Sequence, residues 1–444
     1  MSISSSLFSG VSGLTSYGYA MSVIGDNIAN VNTIGFKGSS TAFEDILSQS
    51  IATSSGTSQV GRGVTLSNIT ASFDQGSFES TSEATDLAIG GKGFFMVTDA
   101  DTGITYYTRS GVFRLDENGY LVNPSGLTVQ GWVAEENSDG TVSTVGAIQD
   151  IVIDSTSSEP QATSLVSMAV NLSSDSNETA YNSGDFLSNF STTDGADADY
   201  YNYSTTLTVY DSLGSSHVIT IYFQKVDNGG ASTETEWEWY AVTDPANSEN
   251  GSYDIQAQGT LTFNSDGVLI CEEIDLSQCL FDFSGGAELN QTVDFQFGTQ
   301  AGAVTESTQY SSASTTMYQA QDGYGSGFLE SISVDTEGVI AGHYSNGQII
   351  YLYQIALANF QNPWGLDKEG GSLYAESKSS GQPLTGIAGT NGLGSISSNS
   401  LEQSNVDIAT EFVKMIITQR AFQANSRVIT STDEMMAELI NLKR

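Results

Sequence analysis

The last 44 residues read LEQSNVDIATEFVKMIITQRAFQANSRVITSTDEMMAELINLKR (401–444), with apolar side chains at Leu401, Ile408, Met415, Phe422, Ile429 and Met436, each seven apart. A second row, Ala421, Val428, Met435 and Leu442, widens the stripe. Such a repeat marks a helix lying along another helix, and a stripe this wide can touch more than one neighbour. The spacing returns at the other end of the chain, at Leu7, Leu14, Met21 and Ile28, interleaved by Ile3, Tyr17, Ile24 and Val31, with Gly10 as a gap. No proline precedes Pro124 or follows Pro383, so neither terminal helix is broken.

Between these ends the period changes to two. Leu207-Thr208-Val209-Tyr210 and Trp237-Glu238-Trp239-Tyr240 read as half-buried strands. Turn chemistry recurs at Asp116–Gly119, Asn137–Gly140, Asn264–Gly267 and Asp335–Gly338, where an Asx side chain and a glycine supply tight hairpins. The stretch from Ser155 to about Asp199 has few aliphatics and is expected to be a poorly packed loop region. The fold expected is mainly β with a terminal α-helical coiled coil, its antiparallel β domains nested in sequence between an N-terminal and a C-terminal helix that pair. A length of 444 residues exceeds what one core supports, so several domains are expected.

Charge excludes some functions. Lys plus Arg number 13 against 52 Asp plus Glu, a net of −39, which removes the cationic surface that nucleic acid requires. Residues 1–50 carry −2 and residues 401–444 carry −1, which leaves −36 on residues 51–400. No apolar run approaches the ~18 residues of a membrane span, and residues 1–28 lack the pattern of a cleavable signal peptide. No membrane insertion is expected, and any export would keep the N-terminus.

Chemistry-bearing residues are sparse. His217 and His343 have no metal-ligand spacing around them, and Asp194, Asp197 and Asp199 lack the glycine and terminal Glu of a calcium loop. Cys271 and Cys279 fit no zinc spacing and read either as half-buried strand residues or as a disulfide. Gly90-Gly91-Lys92-Gly93 lacks the spacing of a phosphate loop and reads as the turn into a strand. No catalytic, cofactor-binding or metal residue is identified, so no enzyme activity and no cofactor are expected.

The segment NIANVNTIGFK (27–37), preceded by Ser12-Gly13-Leu14, resembles the N-terminal motif of the flagellar rod and hook protein family. LEQSNVD (401–407), leading into MIITQRAFQANSR (415–427), resembles that family's C-terminal motif, which Asp433-Glu434-Met435 and Leu439–Leu442 complete. Inner blocks at Ala84–Phe95, Tyr107–Leu121, Asn359–Leu366 and Ser380–Pro383 resemble its first β domain. One position departs: the family more often shows Asn where Ser372 stands. Distal rod proteins share these ends with a far shorter middle, so the length of 149–324 points to hook proteins; a secreted β-rich adhesin is the reading from another class.

The resemblance implies a helical inner domain from 1–30 and 401–444, a linker at 31–75, a first β domain from 76–148 and 325–400, and an outer β insertion at 149–324. It implies an extracellular subunit of the flagellar hook that passes through a type III export apparatus without signal-peptide cleavage. Its partners would be copies of itself in a helical homopolymer, rod and hook-filament junction proteins, and the hook cap. The assembly seam would comprise Ile3, Leu7, Leu14, Tyr17, Met21, Ile24, Ile28, Leu401, Ile408, Met415, Phe422, Ile429 and Met436. Asn27, Asn30, Asn32, Thr33, Gly35 and Phe36 form a turn-rich linker motif, expected to let the helices and β domains change angle. Phe43 and Leu47, four apart, share a face if helical, as an element for export docking or as simple linker packing.

Overall fold

The computed structural model of the chain describes residues 3–53, 56–137, 140–153, 157–176, 184–227, 234–274, 279–298 and 306–442. They divide into two compact units, one of residues 1–155, 330–343 and 349–444, the other of residues 156–329 and 344–348.

In the first unit, helices Ile3–Ala29 and Ile408–Leu442 pack side by side. Asn27 lies opposite Glu411, Gly13 against Asn425 and Gly10 against Ile429, so the pair is antiparallel and holds one register along its length. A strand at Ser39–Asp45 pairs with Val64–Ala71, and further out Gln49–Thr53 pairs with Gly56–Val60. The helical geometry that would align Phe43 with Leu47 does not form. Phe43 sits on the first of these strands with its ring 5.5 Å from that of Tyr17, and Leu47 lies beyond the strand's end, 87% exposed. Thr41, Ala42 and Phe43 instead join an antiparallel ladder against Ile69, Asn68 and Leu66, a pairing that helix-face spacing cannot reveal.

The rest of this unit is built around a sheet of thirteen strands among the described residues. Its centre joins distant parts of the chain: Thr128–Glu136 pairs with Phe94–Thr98 at its start and with Ile349–Ile355 further along. Phe94, Phe95, Met96 and Val97 are all buried, as expected of a strand covered on both faces. Ile151 and Ile153 are buried here as well, within the first unit, which runs to residue 155. The Asx turns form as read: Asp116 Oδ1 accepts from Asn118 N and Tyr120 N, and Asp335 Oδ1 accepts from Glu337 N and Val339 N. Ser138 and Asp139, within the turn read at Asn137–Gly140, lie outside the described residues.

Ser372 has φ of 60°, the left-handed region that Asn tolerates better than Ser, which explains why the family pattern favours Asn there. Ser372→Asn should raise the stability of the purified subunit by about 0.5–1 kcal/mol, read by denaturant unfolding.

In the second unit a five-stranded antiparallel meander, running from Tyr203–Tyr210 through Ser216–Lys225, Thr235–Thr243 and Asp254–Phe263 to Leu269–Ile274, faces a three-stranded sheet. In that smaller sheet Leu165–Asn171 pairs antiparallel with Thr315–Gln321 but parallel with Asp294–Gln296. Between the layers lie Trp237, Trp239, Phe223, Phe263, Phe281, Phe295 and Phe297, all fully buried.

Two expectations are overturned in this unit. The described parts of the 155–199 stretch, residues 157–176 and 184–199, are not a loose loop: Val166, Met168 and Val170 lie in the core, and Phe186 stacks on Tyr240 at 4.5 Å and 11°. The strand at Thr235–Thr243 is therefore buried on both faces, with Trp237 and Trp239 to one side and Tyr240 and Val242 to the other, under Phe186. Few aliphatics concealed aromatic cover from Phe186, Phe190, Tyr200 and Tyr201. Cys271 is exposed on its strand, whereas Cys279 is buried in the core just outside one. His217 lies buried with Nε2 2.8 Å from Asp211 Oδ2, its ring stacked on Phe283.

Candidate assembly surface and its anchorage

Along the N-terminal helix the buried positions are Gly10, Gly13, Ser16, Ala20, Ile24 and Asn27, three or four apart. The closest contacts with the C-terminal helix fall on the smallest of these. A Cβ on Gly13 would lie 2.8 Å from Asn425 Oδ1, and one on Gly10 would lie 3.1 Å from Ile429 Cγ1. Helices approach where side chains are small, so Gly10, read as a gap, lies in the contact row itself. On the C-terminal helix Glu411, Thr418 and Thr432 are buried, and Met415, Ala421, Asn425 and Ile429 half-buried.

The larger apolar residues of the expected seam are distributed around this contact. Ile24 is buried; Leu14, Tyr17, Met21 and Ile28 are half-buried; and Leu7, Ile408, Phe422 and Met436 are exposed. Leu401 is not helical at all: it pairs with Glu79 on the strand Ser400–Glu402, because the helix begins only at Ile408. The side chains of Ile3 and Leu442 lie outside the described residues. Beyond the seam, Phe8, Val11, Tyr19, Phe412, Val413, Ile416, Ile417, Met435 and Ile440 are exposed, with Phe8 at 69%, Ile417 at 61% and Ile440 at 68%. An apolar surface of this extent on two paired helices marks an interaction site.

The linker motif anchors this surface. Asn27 is buried and brackets the backbone of Ser39, whose N–H donates to Asn27 Oδ1 at 2.8 Å and whose carbonyl accepts from Asn27 Nδ2 at 2.8 Å. Asn30 Nδ2 donates to the Asp26 carbonyl at 3.0 Å, and Asn30 Oδ1 accepts from Thr33 Oγ1 at 3.1 Å. Asn32 is exposed, and the Phe36 ring lies 5.5 Å from Lys368 Nζ. Gly35 has φ of 68° and donates its N–H to the Glu402 carbonyl at 2.8 Å; a Cβ there would collide with the backbone of Ser110.

Behind this turn lies a cluster of buried charges. Glu402 Oε1 accepts from Lys37 Nζ at 2.7 Å and from Gly76 N at 2.9 Å, while Oε2 accepts from Arg109 Nη1 at 3.3 Å. Lys37 Nζ also donates to the Asp74 carbonyl at 2.8 Å, and Arg109 Nη2 donates to the Gly91 carbonyl at 2.7 Å, its guanidinium lying over the Phe94 ring. Lys37 and Glu402 are wholly buried, and Arg109 nearly so. Burial pulls both cations below their ordinary ranges, and the Glu402 carboxylate opposes that pull. Tyr374, close by, is pushed up to about 12 by burial. The turn-forming side chains of Asn27, Asn30 and Thr33 thus serve as hydrogen-bond partners. Lys37, Arg109 and Glu402 all lie in the quoted motifs without an assigned role; the signal available was that Lys37 is the lone base of residues 1–50.

Comparison with known proteins follows this layout. Residues 7–37 match the family described as flagella basal body rod protein, residues 88–171 the flagellar hook protein FlgE/F/G D1 domain, residues 171–324 the flagellar basal body protein FlaE D2 domain, and residues 397–442 the flagellar basal body rod FlgEFG protein C-terminal family. The flagellar hook protein FlgE of Borreliella burgdorferi is 37% identical, with 99% of each chain covered. This chain belongs to the flagellar hook protein family. The hook proteins of Treponema pallidum, at 33% identity and 99% coverage of each chain, and of Salmonella typhimurium, at 34% and 98%, agree along their whole length. That coverage includes the middle and so separates hook proteins from the shorter rod proteins that share the terminal motifs. The crystal structure of Helicobacter pylori hook protein FlgE2 has the same fold over 73% of this chain and 100% of its own, with a TM-score of 0.51 at 17% identity. Among the described residues no group of His, Cys, Asp and Glu is placed to hold a metal, and no helix is long and apolar enough to cross a membrane.

Proposed function

We propose that this chain is the structural subunit of the bacterial flagellar hook, polymerising outside the cell into a curved tube that joins rod to filament and carries motor torque. The observation that supports this is the apolar surface left exposed on the paired terminal helices, which one subunit cannot cover by itself. A contact of that kind between unlike faces does not close on itself and builds a helical filament. Rod and hook-filament junction proteins would meet the two ends of the tube, a cap its growing tip, and a type III export apparatus the unfolded chain. Electron microscopy of the purified protein under assembly conditions tests the reading: curved tubes are expected, whereas straight short rods or no polymer would overturn it.

Charge sets the conditions of assembly. The −36 carried by residues 51–400 accumulates as copies stack, within reach of a Debye length of about 8 Å at physiological salt. Tubes should shorten and change curvature at low ionic strength and recover with salt or divalent cations. Tubes indifferent to salt from about 10 mM to 1 M would place these acids outside the contacts.

For export, the Phe43 ring packed on Tyr17 favours a packing role over a docking one. Phe43→Ala should be secreted at the normal level, and a secretion defect in a variant of normal stability would restore the docking role.

A further inference from the structure

The buried charge cluster sits where both terminal helices leave the β-structure. Lys37 and Gly38 follow the N-terminal helix, Glu402 and Asn405 precede the C-terminal one, and Arg109 belongs to the sheet unit they root in. Besides the contacts of Glu402, Gly38 N donates to Asn405 Oδ1 at 2.9 Å, and Asn405 Nδ2 donates to the carbonyls of Ser72 and Asp74 at 2.9 and 3.0 Å. Asn27 Nδ2 reaches Glu411 Oε2 at 3.3 Å, tying the helices to each other at the same level. Every one of these links lies at the root of the helical pair, whereas the exposed Leu7, Phe8, Val11, Phe422, Met435 and Met436 lie along the helices beyond it. One carboxylate holds two buried cations that come from separate segments, so its loss leaves both unpaired.

We propose that the Lys37–Glu402–Arg109 cluster is a register clamp: it fixes the roots of the two terminal helices against each other in the free subunit, so that helices completed only on assembly start in one alignment. The proposal rests on the hook reading, because it gives the helices a second copy of this chain as the partner that completes them. The clamp sets which residues of the pair face each other, from Asn27 opposite Glu411 to Gly10 opposite Ile429. The apolar stripes of all subunits are thereby presented in one phase. A subunit with free roots can pair its helices two turns out of step, since a seven-residue repeat matches itself after each shift of seven.

Hydrogen exchange of the full chain, as free subunit and as tubes, tests this. In the wild-type subunit, residues 35–38 and 402–406 should exchange slowly while residues 5–14 exchange fast; in tubes all three should be protected. In a Glu402→Gln subunit, exchange at both roots should rise at least about tenfold, with the strand at residues 94–98 unchanged and tube nucleation delayed. Roots as protected as in the wild type would overturn the clamp, as would equal loss at residues 94–98, which would make Glu402 a general stabiliser of the unit. Should Glu402→Gln fail to fold, the triple variant Lys37→Met, Arg109→Met, Glu402→Met decides. Fast roots in it support a clamp made by charge, and wild-type protection assigns the clamp to packing and overturns the proposal. Wild-type protein that forms no tubes, with its roots protected, would remove the hook reading and leave the clamp standing.

Discussion

Replacing Ile417 with Asp should leave the subunit folded and prevent it from forming tubes. Ile417 is 61% exposed on the C-terminal helix, beside the buried Thr418, and a charge there costs the free subunit no more than about 0.5 kcal/mol. In a polymer that covers the same face, the carboxylate must leave water with only apolar neighbours, at a cost of roughly 3 kcal/mol or more. At 1.4 kcal/mol per tenfold change, the concentration needed for assembly should rise by about 100-fold. Sedimentation of polymer across a concentration series measures it, with Ile417→Leu as the apolar control. Assembly of the Asp variant at the wild-type concentration would show that this face stays in water.

Trp239→Ala should be the most damaging single change within residues 156–329, costing about 3–5 kcal/mol. The indole is fully buried between the two sheets, 5.0 Å from the ring of Phe295 and 5.1 Å from that of Phe297. Its Nε1 is buried with no hydrogen-bond partner among the described residues and lies against the backbone of Gly259. Trp239→Phe should therefore cost much less, since it keeps an aromatic ring and removes an unsatisfied donor. Calorimetry on both variants checks the pair. Equal losses would mean that the volume of the indole, rather than its aromatic contacts, decides the stability of this core.

Much of this architecture was legible because its signals are local. The heptads at Leu7–Ile28 and Ile408–Met436, the Asx turns at Asp116 and Asp335, and the alternation through Trp237 and Trp239 each involve neighbours within a turn or a strand. What stayed hidden depends on what covers a face. Periodicity shows that a helix has an apolar stripe without showing that Gly10 and Gly13 sit in the buried row against the partner helix. It shows Tyr240 on one side of a strand without the Phe186 ring that buries it. The Lys37–Glu402 pair lies 365 residues apart in sequence, and only the closed fold brings its members together. Phe43 and Leu47 show the converse case: a spacing that suits a helix is carried by one strand residue, Phe43, and one residue beyond the strand's end, Leu47.

The antiparallel pairing of the terminal helices places Ile3 and Leu442 towards the same tip, the one farthest from Asn27 and Glu411. Groups fused ahead of Ile3 or after Leu442 therefore start from one region of the subunit, and in the proposed polymer that region recurs in every copy. The choice of which end carries a purification handle or a fluorophore does not change that region. The turn at Asn264–Gly267, where Asn264 Oδ1 accepts from Asp266 N and Val268 N, is a better place to attach cargo. Its tip residues Ser265 and Asp266 are exposed, between two strands of the meander and outside the first unit.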